Sequence, residues 1–239
     1  MNTAQNHKMR VLAVIPARAG SKGIPGKNIK IIAGQPLLAY SALAATQSEN
    51  IDRVILSTDS ADIAEVGSKY GLDCNGLRPS ELSDDHSSTL SVIKYELGIE
   101  EKEYGRIYDL VLLLQPTCPM RTTSLIDKAI AISDNEPDYD SYITVVNVDG
   151  VHPYRMYSLD NNTMVSFVAG DHDPMLSRQY LPEVFIRSGD IYLTWVNTIE
   201  KFDSLIGKNP RGIEVEAKDT VNVDSEYDWI VAESKLQKL

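Results

Sequence analysis

The sequence predicts an α/β protein whose core is a doubly wound, mostly parallel sheet with one small protruding insert. Short apolar runs rich in β-branched residues alternate with helical segments, the pattern of parallel strands joined by crossover helices. The 239 residues are 43% apolar and 24% charged, as in an ordinary globular protein with one sizeable core. After Gly150 the alternation gives way to short segments rich in Pro, Tyr, Met and Asn. These observations favour one domain with an insert over two separate domains.

Four apolar runs predict the parallel strands. The run at 10–17 is rich in β-branched residues and contains a proline near its end, as expected of a buried strand. The other three runs lie at 53–57, 109–114 and 141–148. Because the strands are separated by helical segments, right-handed crossovers are expected.

Helices are predicted between and after these strands. The first begins at a proline, which a first helical turn tolerates. The second has Ser60 as its N-cap and Gly71 as its stop. The four predicted helices lie at 36–46, 60–70, 87–97 and 122–133.

The last third of the chain predicts an insert, one more strand and a closing helix. Region 151–186 is interpreted as a hairpin-rich insert around an Asn161–Asn162 turn. A strand at 188–195 returns to the sheet, and an amphipathic helix occupies 225–239. The domain is therefore expected to span 9–239, with the polar first eight residues frayed.

Charge and composition exclude several classes of partner. A net charge of -11 argues against nucleic acid or an anionic membrane, because both require a basic surface. No run is long enough to span a bilayer and no export signal is recognisable, so a cytoplasmic location is expected. Cys74 and Cys118 are too few for a disulfide framework and are expected to be reduced thiols.

The loop after the first strand concentrates positive charge in this acidic chain. Arg18, Lys22, Lys27 and Lys30 have no acid among them, and the intervening glycines allow backbone N–H groups to approach an anion. The loop leaves the carboxyl end of a strand, where open α/β sheets bind ligands. It matches neither GxxxxGK[ST] nor GxGxxG. We interpret it as a site for a triphosphate.

Five motifs in order carry a family resemblance: IPARAGSKGIPGKN at 15–28, LSTD at 56–59, LRPSEL at 77–82, LLQPTCPMR at 113–121 and NVDSEYD at 222–228. Together they resemble the acylneuraminate cytidylyltransferases, the family of the CMP-sialic acid synthetases, over nearly the whole chain from Val11. The resemblance implies a Rossmann-like nucleotidyltransferase fold. It also implies transfer of CMP from CTP to the anomeric hydroxyl of an acidic nine-carbon sugar, with release of pyrophosphate.

The resemblance also implies roles for individual side chains. Arg18, Lys27 and Asp224 are the expected catalytic residues, with Lys27 near the α-phosphate and Asp224 on a magnesium (or manganese) ion. Asn222 is assigned to the metal as well. The sugar acid is expected to contact Gln115, Arg178 and Tyr192. The nucleotide is expected to contact Ala17, Arg18, Ser21, Lys22, Lys27, Asn28, Arg78, Ser87 and Thr89.

This chain departs from the family pattern at two places. Asn222 stands where the family has a second Asp, so the chain has one carboxylate fewer for a metal. Ser188-Gly-Asp-Ile-Tyr192 stands where sialic-acid-specific members have Asn-Gly-Ala-Ile-Tyr. A simpler interpretation of the 222–228 motif is the entry to the last helix, with Asp224 or Ser225 as its cap. Arg121 is interpreted as a local cap or pairing residue and is left out of the site.

Three alternatives stay open at this point. One is a cytidylyltransferase for an eight-carbon sugar acid, which shares the IPAR loop. Another is a nucleotide-sugar glycosyltransferase, for which Asp138-Tyr-Asp140 resembles the DxD motif, although capping of the strand at Ser141 is favoured. The third is a non-catalytic nucleotide-binding regulator. For the favoured function the insert is expected to mediate a homodimer.

Overall fold

A computed structural model describes residues 9–21, 23–84, 87–148, 150–170, 173 and 175–238. The α-helices are α1 (Leu37–Thr46), α2 (Ala61–Lys69), α3 (Thr89–Tyr104), α4 (Thr123–Asn135), α5 (Val196–Phe202) and α6 (Glu226–Leu236). The strands are β1 (Val11–Pro16), β2 (Ile31–Ile32), β3 (Gln35–Pro36), β4 (Arg53–Ser57), β5 (Leu110–Leu113), β6 (Ser141–Asn147), β7 (Tyr157–Asp160), β8 (Thr163–Ser166), β9 (Phe185–Trp195) and β10 (Pro210–Glu214).

The central sheet has the strand order β10-β6-β9-β5-β1-β4. Strands β4, β1 and β5 run parallel, as do β10 and β6, while β9 is antiparallel to both β5 and β6. The predicted mostly parallel sheet is therefore confirmed. Because β1 lies between β4 and β5, the loops that follow these three strands emerge side by side.

Helices cover both faces of this sheet because alternate side chains of its strands point in opposite directions. On one face, Ile15 belongs to a buried cluster with Leu38 of α1 and Ile126 of α4. On the other face, Leu12 belongs to a cluster with Ile93 of α3. Burying each such side chain stabilises the fold by about 1.5–3 kcal/mol, which explains the strongly apolar strands.

A smaller apolar cluster joins the loop after β1 to the end of the chain. Ile24 of this loop is fully buried with Val223, and Trp229 of α6 packs in the same cluster. The Val223 N–H also donates to the Thr117 carbonyl, 2.8 Å away, in the loop after β5. Three segments that are distant in sequence therefore meet at the carboxyl edge of the sheet.

Helix α3 ends at Tyr104, beyond the predicted end at 97, because contacts of a buried carboxylate stabilise its last turns. Glu100 is fully buried and accepts hydrogen bonds from Arg53 Nε and from the Tyr108 hydroxyl, each at 2.8 Å. Burial alone raises the pKa of Glu100, but the hydrogen bonds outweigh that effect and hold the pKa below its ordinary value. This network ties α3 to β4 and β5.

Helix α5, strand β10 and the short β2–β3 pair were not predicted. Strand β10 lies at the edge of the sheet and buries only Ile213, so it lacks the apolar run that revealed the central strands. Asp140 accepts the N–H groups of Lys208 and Asn209, at 2.7 and 2.8 Å, in the turn that leads into β10. The Asp140 carboxylate therefore stabilises the turn before β10.

The predicted insert contains the β7–β8 hairpin. Asn161 and Asn162 have φ values of 46° and 67°, the left-handed conformations that a two-residue type I′ turn requires. The hairpin and the chain around it expose large apolar side chains, among them Leu159, Met164 and Phe167. Among the described residues, no helix has both the length and the apolar character that crossing a membrane requires.

Candidate active site

A cavity of about 410 Å³ opens at the carboxyl edge of the sheet, between the loops after β1 and β5 and the start of α3. Polar and charged side chains dominate its lining. Most of the residues predicted for the site lie there: Arg18, Ser21, Lys27, Asn28, Arg78, Ser87, Thr89, Gln115 and Asp224. Four of the five sequence motifs, together with the start of α3, thus contribute to one cavity.

The remaining predicted residues lie elsewhere. Ala17 is fully buried and its N–H donates to the Ser57 carbonyl at 2.9 Å. Asn222 is beside the cavity, next to Asp224. Tyr192 is half-buried on β9, and Arg178 is exposed on the insert; neither lines the cavity. Lys22 lies outside the described residues.

Two hydrogen bonds fix the conformation of the loop after β1. The buried Asn28 side chain donates through Nδ2 to the Arg18 carbonyl at 2.9 Å, which closes the loop on itself. The Ala19 N–H donates to Asp59 Oδ1 at 2.8 Å, which ties the loop to the end of β4. Asp59 was quoted in a motif but given no role. Its position directly after a strand is the signal that could have identified it.

Gly23 is the point at which this loop contacts the chain before α6. A Cβ at Gly23 would overlap the Asp224 carbonyl oxygen, so only glycine allows this approach. Lys27 Nζ donates to the Val223 carbonyl at 2.7 Å and pairs with Asp224 Oδ1 at 3.1 Å. Gly23 was not predicted as a site residue, because the contact joins residues 201 positions apart in the sequence.

Asp224 presents its carboxylate to the cavity, because another residue caps α6. Ser225 accepts the Asp228 N–H at 3.2 Å, and Asp228 accepts the Ser225 N–H at 2.8 Å, forming a capping box. The segment before α6 is not a strand, yet its side chains alternate: Val223 is buried between exposed Asn222 and Asp224. The Asn222 amide donates to Asp224 Oδ2 at 2.7 Å.

The opposite wall of the cavity is built around Arg78 and Ser87. Arg78 is buried and donates through Nε to Ser83 Oγ at 3.1 Å. Burial lowers the pKa of the Arg78 guanidinium, Asp59 and Glu96 oppose that shift, and nearby Arg18 adds to it. An arginine stays charged under these conditions, so Arg78 supplies a desolvated cation.

Ser87 and Arg18 both contact Asp84, a residue that sequence analysis did not assign. Ser87 Oγ lies 2.8 Å from Asp84 Oδ1, and Arg18 Nη1 donates to the Asp84 carbonyl at 2.7 Å. These contacts place hydroxyl, carboxylate and backbone groups around one part of the cavity. Such groups can distinguish the donor and acceptor pattern of a base edge.

The side of the cavity nearest β9 contains Gln115. Gly189 has a φ of 89°, and a Cβ there would lie 3.3 Å from Gln115 Oε1 and 3.0 Å from Cys118 Sγ. The glycine therefore leaves room for the Gln115 side chain. Burial raises the pKa of the Cys118 thiol to about 12. Cys118 is consequently protonated at neutral pH and is not a nucleophile.

Comparison with known proteins identifies relatives of the chain. The model of the cytidylyltransferase family matches residues 12–171. A CMP-N,N'-diacetyllegionaminic acid synthase of Legionella pneumophila is 30% identical over 230 residues, which cover 96% of this chain and 97% of that protein. An N-acylneuraminate cytidylyltransferase of Escherichia coli is 38% identical over 138 residues, or 58% of this chain and 32% of that protein.

A solved structure shares the fold. It is a CMP:2-keto-3-deoxy-manno-octonic acid synthetase complexed with CTP, and it superposes with a TM-score of 0.69 at 17% sequence identity. The match covers 96% of this chain and 100% of the other. At this identity the likeness shows a common fold only.

The contact of Gly23 with Asp224 predicts a selective effect of adding one methyl group. Gly23→Ala should lower the free energy of unfolding by about 1–3 kcal/mol, because the loop must move away from the 222–224 segment. The same movement should weaken binding of CTP, used as the probe for the predicted triphosphate site, by about 10-fold or more, which corresponds to about 1.4 kcal/mol of binding free energy. Denaturant unfolding and calorimetry measure the two effects.

Gly150→Ala is the control, because a Cβ at Gly150 meets nothing within 4 Å and Gly150 is not part of the cavity lining. It should leave both quantities unchanged. Wild-type CTP affinity in Gly23→Ala would show that the contact does not shape the site.

Proposed function

The chain belongs to the cytidylyltransferase family and is a nucleotidyltransferase, and from this we propose that it transfers CMP from CTP to a nonulosonic acid. In the proposed reaction the anomeric hydroxyl of this acidic nine-carbon sugar attacks the α-phosphorus. A bond forms between the sugar oxygen and the α-phosphorus, the bond from that phosphorus to the α–β bridging oxygen breaks, the hydroxyl proton is released to solvent, and pyrophosphate leaves. The observation that carries the proposal is the meeting of the cationic loop with Asp224 and Gln115 in one cavity.

The triphosphate is proposed to lie along the loop after β1. Lys27 and Arg18 supply positive charge there, and the glycines leave backbone N–H groups accessible. The Lys27 side chain is only 11% exposed, so its charge acts with little screening by water. Charge that develops on the phosphates during attack is stabilised most by cations that are already in place.

The cytosine is proposed to lie between Arg78 and the start of α3. Ser87 and the nearby Asp84 offer a hydroxyl and a carboxylate at the N-terminal end of α3. A cytosine edge carries one amine donor and two acceptors, which match such groups. Gln115, on the other side of the cavity, is proposed to hydrogen-bond the sugar acid. The relatives named for diacetyllegionaminic and N-acylneuraminic acids support this substrate class.

Magnesium is proposed as the cofactor, with manganese as a substitute. No group of three or more His, Cys, Asp or Glu side chains able to hold a metal occurs in the described part of the chain. The proposed metal donors are Asp224, which is 64% exposed at the cavity, and Asn222 beside it. This set fits magnesium, which takes one or two carboxylates and completes its shell with phosphate and water. When bound, the ion would offset phosphate charge.

Turnover should depend on Lys27 and not on a neighbouring lysine. With CTP and a nonulosonic acid, pyrophosphate release is expected for the wild type, and Lys27→Ala should lower kcat by about 100-fold or more. Lys30→Ala is the control, because Lys30 is outside the cavity lining, above the Trp229 ring and near Glu226. It should keep near-normal turnover.

The substrate panel contains N-acetylneuraminic acid, N,N'-diacetyllegionaminic acid and an eight-carbon 2-keto-3-deoxy acid, each with CTP, UTP, ATP and GTP. The proposal requires CTP and one of the nine-carbon acids to give the highest kcat/KM. Preference for the eight-carbon acid, or equal release with purine triphosphates, would refute the assignment.

The metal assignment predicts opposite effects of two substitutions. Asn222→Asp should tighten the apparent magnesium affinity, because a second carboxylate adds Coulomb attraction in a partly desolvated site. Asp224→Asn should be far more damaging, since it removes the remaining carboxylate. Turnover is measured against magnesium concentration for the wild type and the two variants. An unchanged magnesium midpoint and an unchanged rate in Asp224→Asn would eliminate Asp224 as a metal ligand.

We further propose that the insert forms a homodimer interface. Leu159 and Phe167 are 72% and 71% exposed, and they share this part of the chain with exposed Met164 and Val165. Clustered exposed apolar side chains of this size are characteristic of interaction surfaces. We favour a second copy of this chain as the partner, because the hairpin strands of the insert are exposed along their whole length and contribute little to the core of the domain.

Sedimentation equilibrium should give twice the 26.5 kDa chain mass for the wild type. Phe167→Asp should shift the protein toward monomer, because a charge is introduced into the buried apolar surface. Ile230→Asp is the control, since Ile230 is 65% exposed on α6. A monomeric wild type would overturn the proposal.

A further inference from the structure

Arg121 is a buried cation beneath the cavity, with its guanidinium bonded to three different elements. Its Nε donates to the Asp190 carbonyl of β9, its Nη1 to Ser41 Oγ of α1 at 2.8 Å, and its Nη2 to the Gln115 carbonyl at 2.6 Å. Only 4% of the residue is exposed. The planar fork of an arginine can satisfy three such acceptors at once, whereas a lysine ammonium cannot reproduce this geometry.

Asp190 joins Arg121 to the chain before α6. It is 1% exposed, and burial lowers the pKa of Arg121 while the Asp190 carboxylate acts in the opposite direction. Asp190 Oδ2 accepts a hydrogen bond from Thr220 Oγ1 at 2.6 Å. Among the described residues, Oδ1 has no hydrogen-bond partner. A buried carboxylate with so few partners is costly, which indicates a role besides stability.

A bulge in β9 brings Asp190 to this position. The register between β6 and β9 shifts after Ile143, and Thr144 Oγ1 accepts from Ser188 Oγ at 2.8 Å and from the Ile191 N–H at 2.9 Å. The bulge contains Gly189, whose lack of a side chain admits Gln115. The same local distortion therefore places Asp190 below the cavity and opens the space that Gln115 occupies.

We propose that Arg121 and Asp190 are a positioning pair that sets Gln115 and the segment carrying Asn222 and Asp224 at a fixed separation. Arg121 holds the Gln115 backbone, and Asp190 holds Thr220 at the start of that segment. The proposal rests on the proposed function for the roles of Gln115 and Asp224. It assigns neither Arg121 nor Asp190 a contact with substrate.

The pair is connected to Gln115 and to the segment that carries Asp224, and not to the groups proposed to hold the base. The described contacts of Arg121 and Asp190 lead to Gln115 and to Thr220, while Arg78 and Ser87 are held by Ser83 and Asp84. Loosening the pair should therefore impair use of the sugar acid and metal more than recognition of the base. A purely stabilising role would produce no such difference.

Thr220→Val tests the pair with little change of shape, because it removes the hydrogen bond to Asp190 and keeps the side-chain volume. Thr194→Val is its matched control: Thr194 is fully buried on the same strand as Asp190 and donates to the Leu205 carbonyl at 2.7 Å. Asp190→Asn is a second variant that removes the charge. Thr220→Val should lower stability more than Thr194→Val, because it leaves the buried Asp190 carboxylate without its hydrogen bond to Thr220.

Amide hydrogen exchange provides a readout that does not depend on any substrate. Thr220→Val and Asp190→Asn should accelerate exchange at 115–121 as well as at 220–224 by about 5-fold or more, because local opening of one segment frees the other. Thr194→Val should not. Acceleration confined to 220–224 would overturn the proposal, whether or not the wild type turns over a nonulosonic acid.

Kinetics then separate positioning from stability at a temperature where all variants are folded. Thr220→Val should raise the KM for the sugar acid and the apparent magnesium midpoint each about 10-fold, and leave the preference for CTP over UTP within about 2-fold, since the groups proposed to contact the base are held elsewhere. Loss of the preference for CTP, or the same profile in Thr194→Val, would contradict a positioning role.

Discussion

The rest of the site depends on the close approach of the loop after β1 to the chain before α6. Gly23 lies against the Asp224 carbonyl with no room for a side chain, and Ile24 and Val223 are buried together beneath this contact. The apolar cluster supplies the free energy that holds two segments almost 200 residues apart in contact. As a consequence, Lys27 and Asp224 face the same cavity. If the contact were looser, the phosphate-binding cations and the proposed metal donor would not act on the same phosphate.

This arrangement also explains how a chain with a net charge of -11 can bind an anion. Lys27 is paired with Asp224 at 3.1 Å, so each charge has a partner. The proposed substrate and metal would offer each of them a new partner: phosphate for the lysine and magnesium for the aspartate. Exchange of one ion pair for two avoids leaving the largely buried Lys27 without compensation. Acidic residues elsewhere on the surface are screened within about 10 Å at ordinary ionic strength and do not cancel this local field.

The sequence allowed the fold to be predicted where local patterns determine structure. The apolar runs marked β1, β4, β5 and β6, and Ser60 capped α2 as expected, because these features depend on neighbouring residues. The glycine-rich loop and the motif around Gln115 were placed correctly at strand ends for the same reason. The extent of α3 was not predicted correctly, since its last turns depend on contacts of Glu100 with Arg53 and Tyr108, which lie elsewhere in the chain. The roles of Gly23, Gly189 and Arg121 also escaped prediction, because each depends on a contact across the folded chain.

The most direct test of this account is the crystal structure of the protein with CTP and magnesium. The account predicts phosphates within hydrogen-bonding distance of Lys27 and Arg18, the metal on Asp224, and the cytosine between Arg78 and Ser87. It also predicts that the Lys27–Asp224 pair is replaced by contacts to phosphate and metal. A nucleotide bound elsewhere, or bound in this cavity with the Lys27–Asp224 pair intact and the metal on other residues, would contradict it.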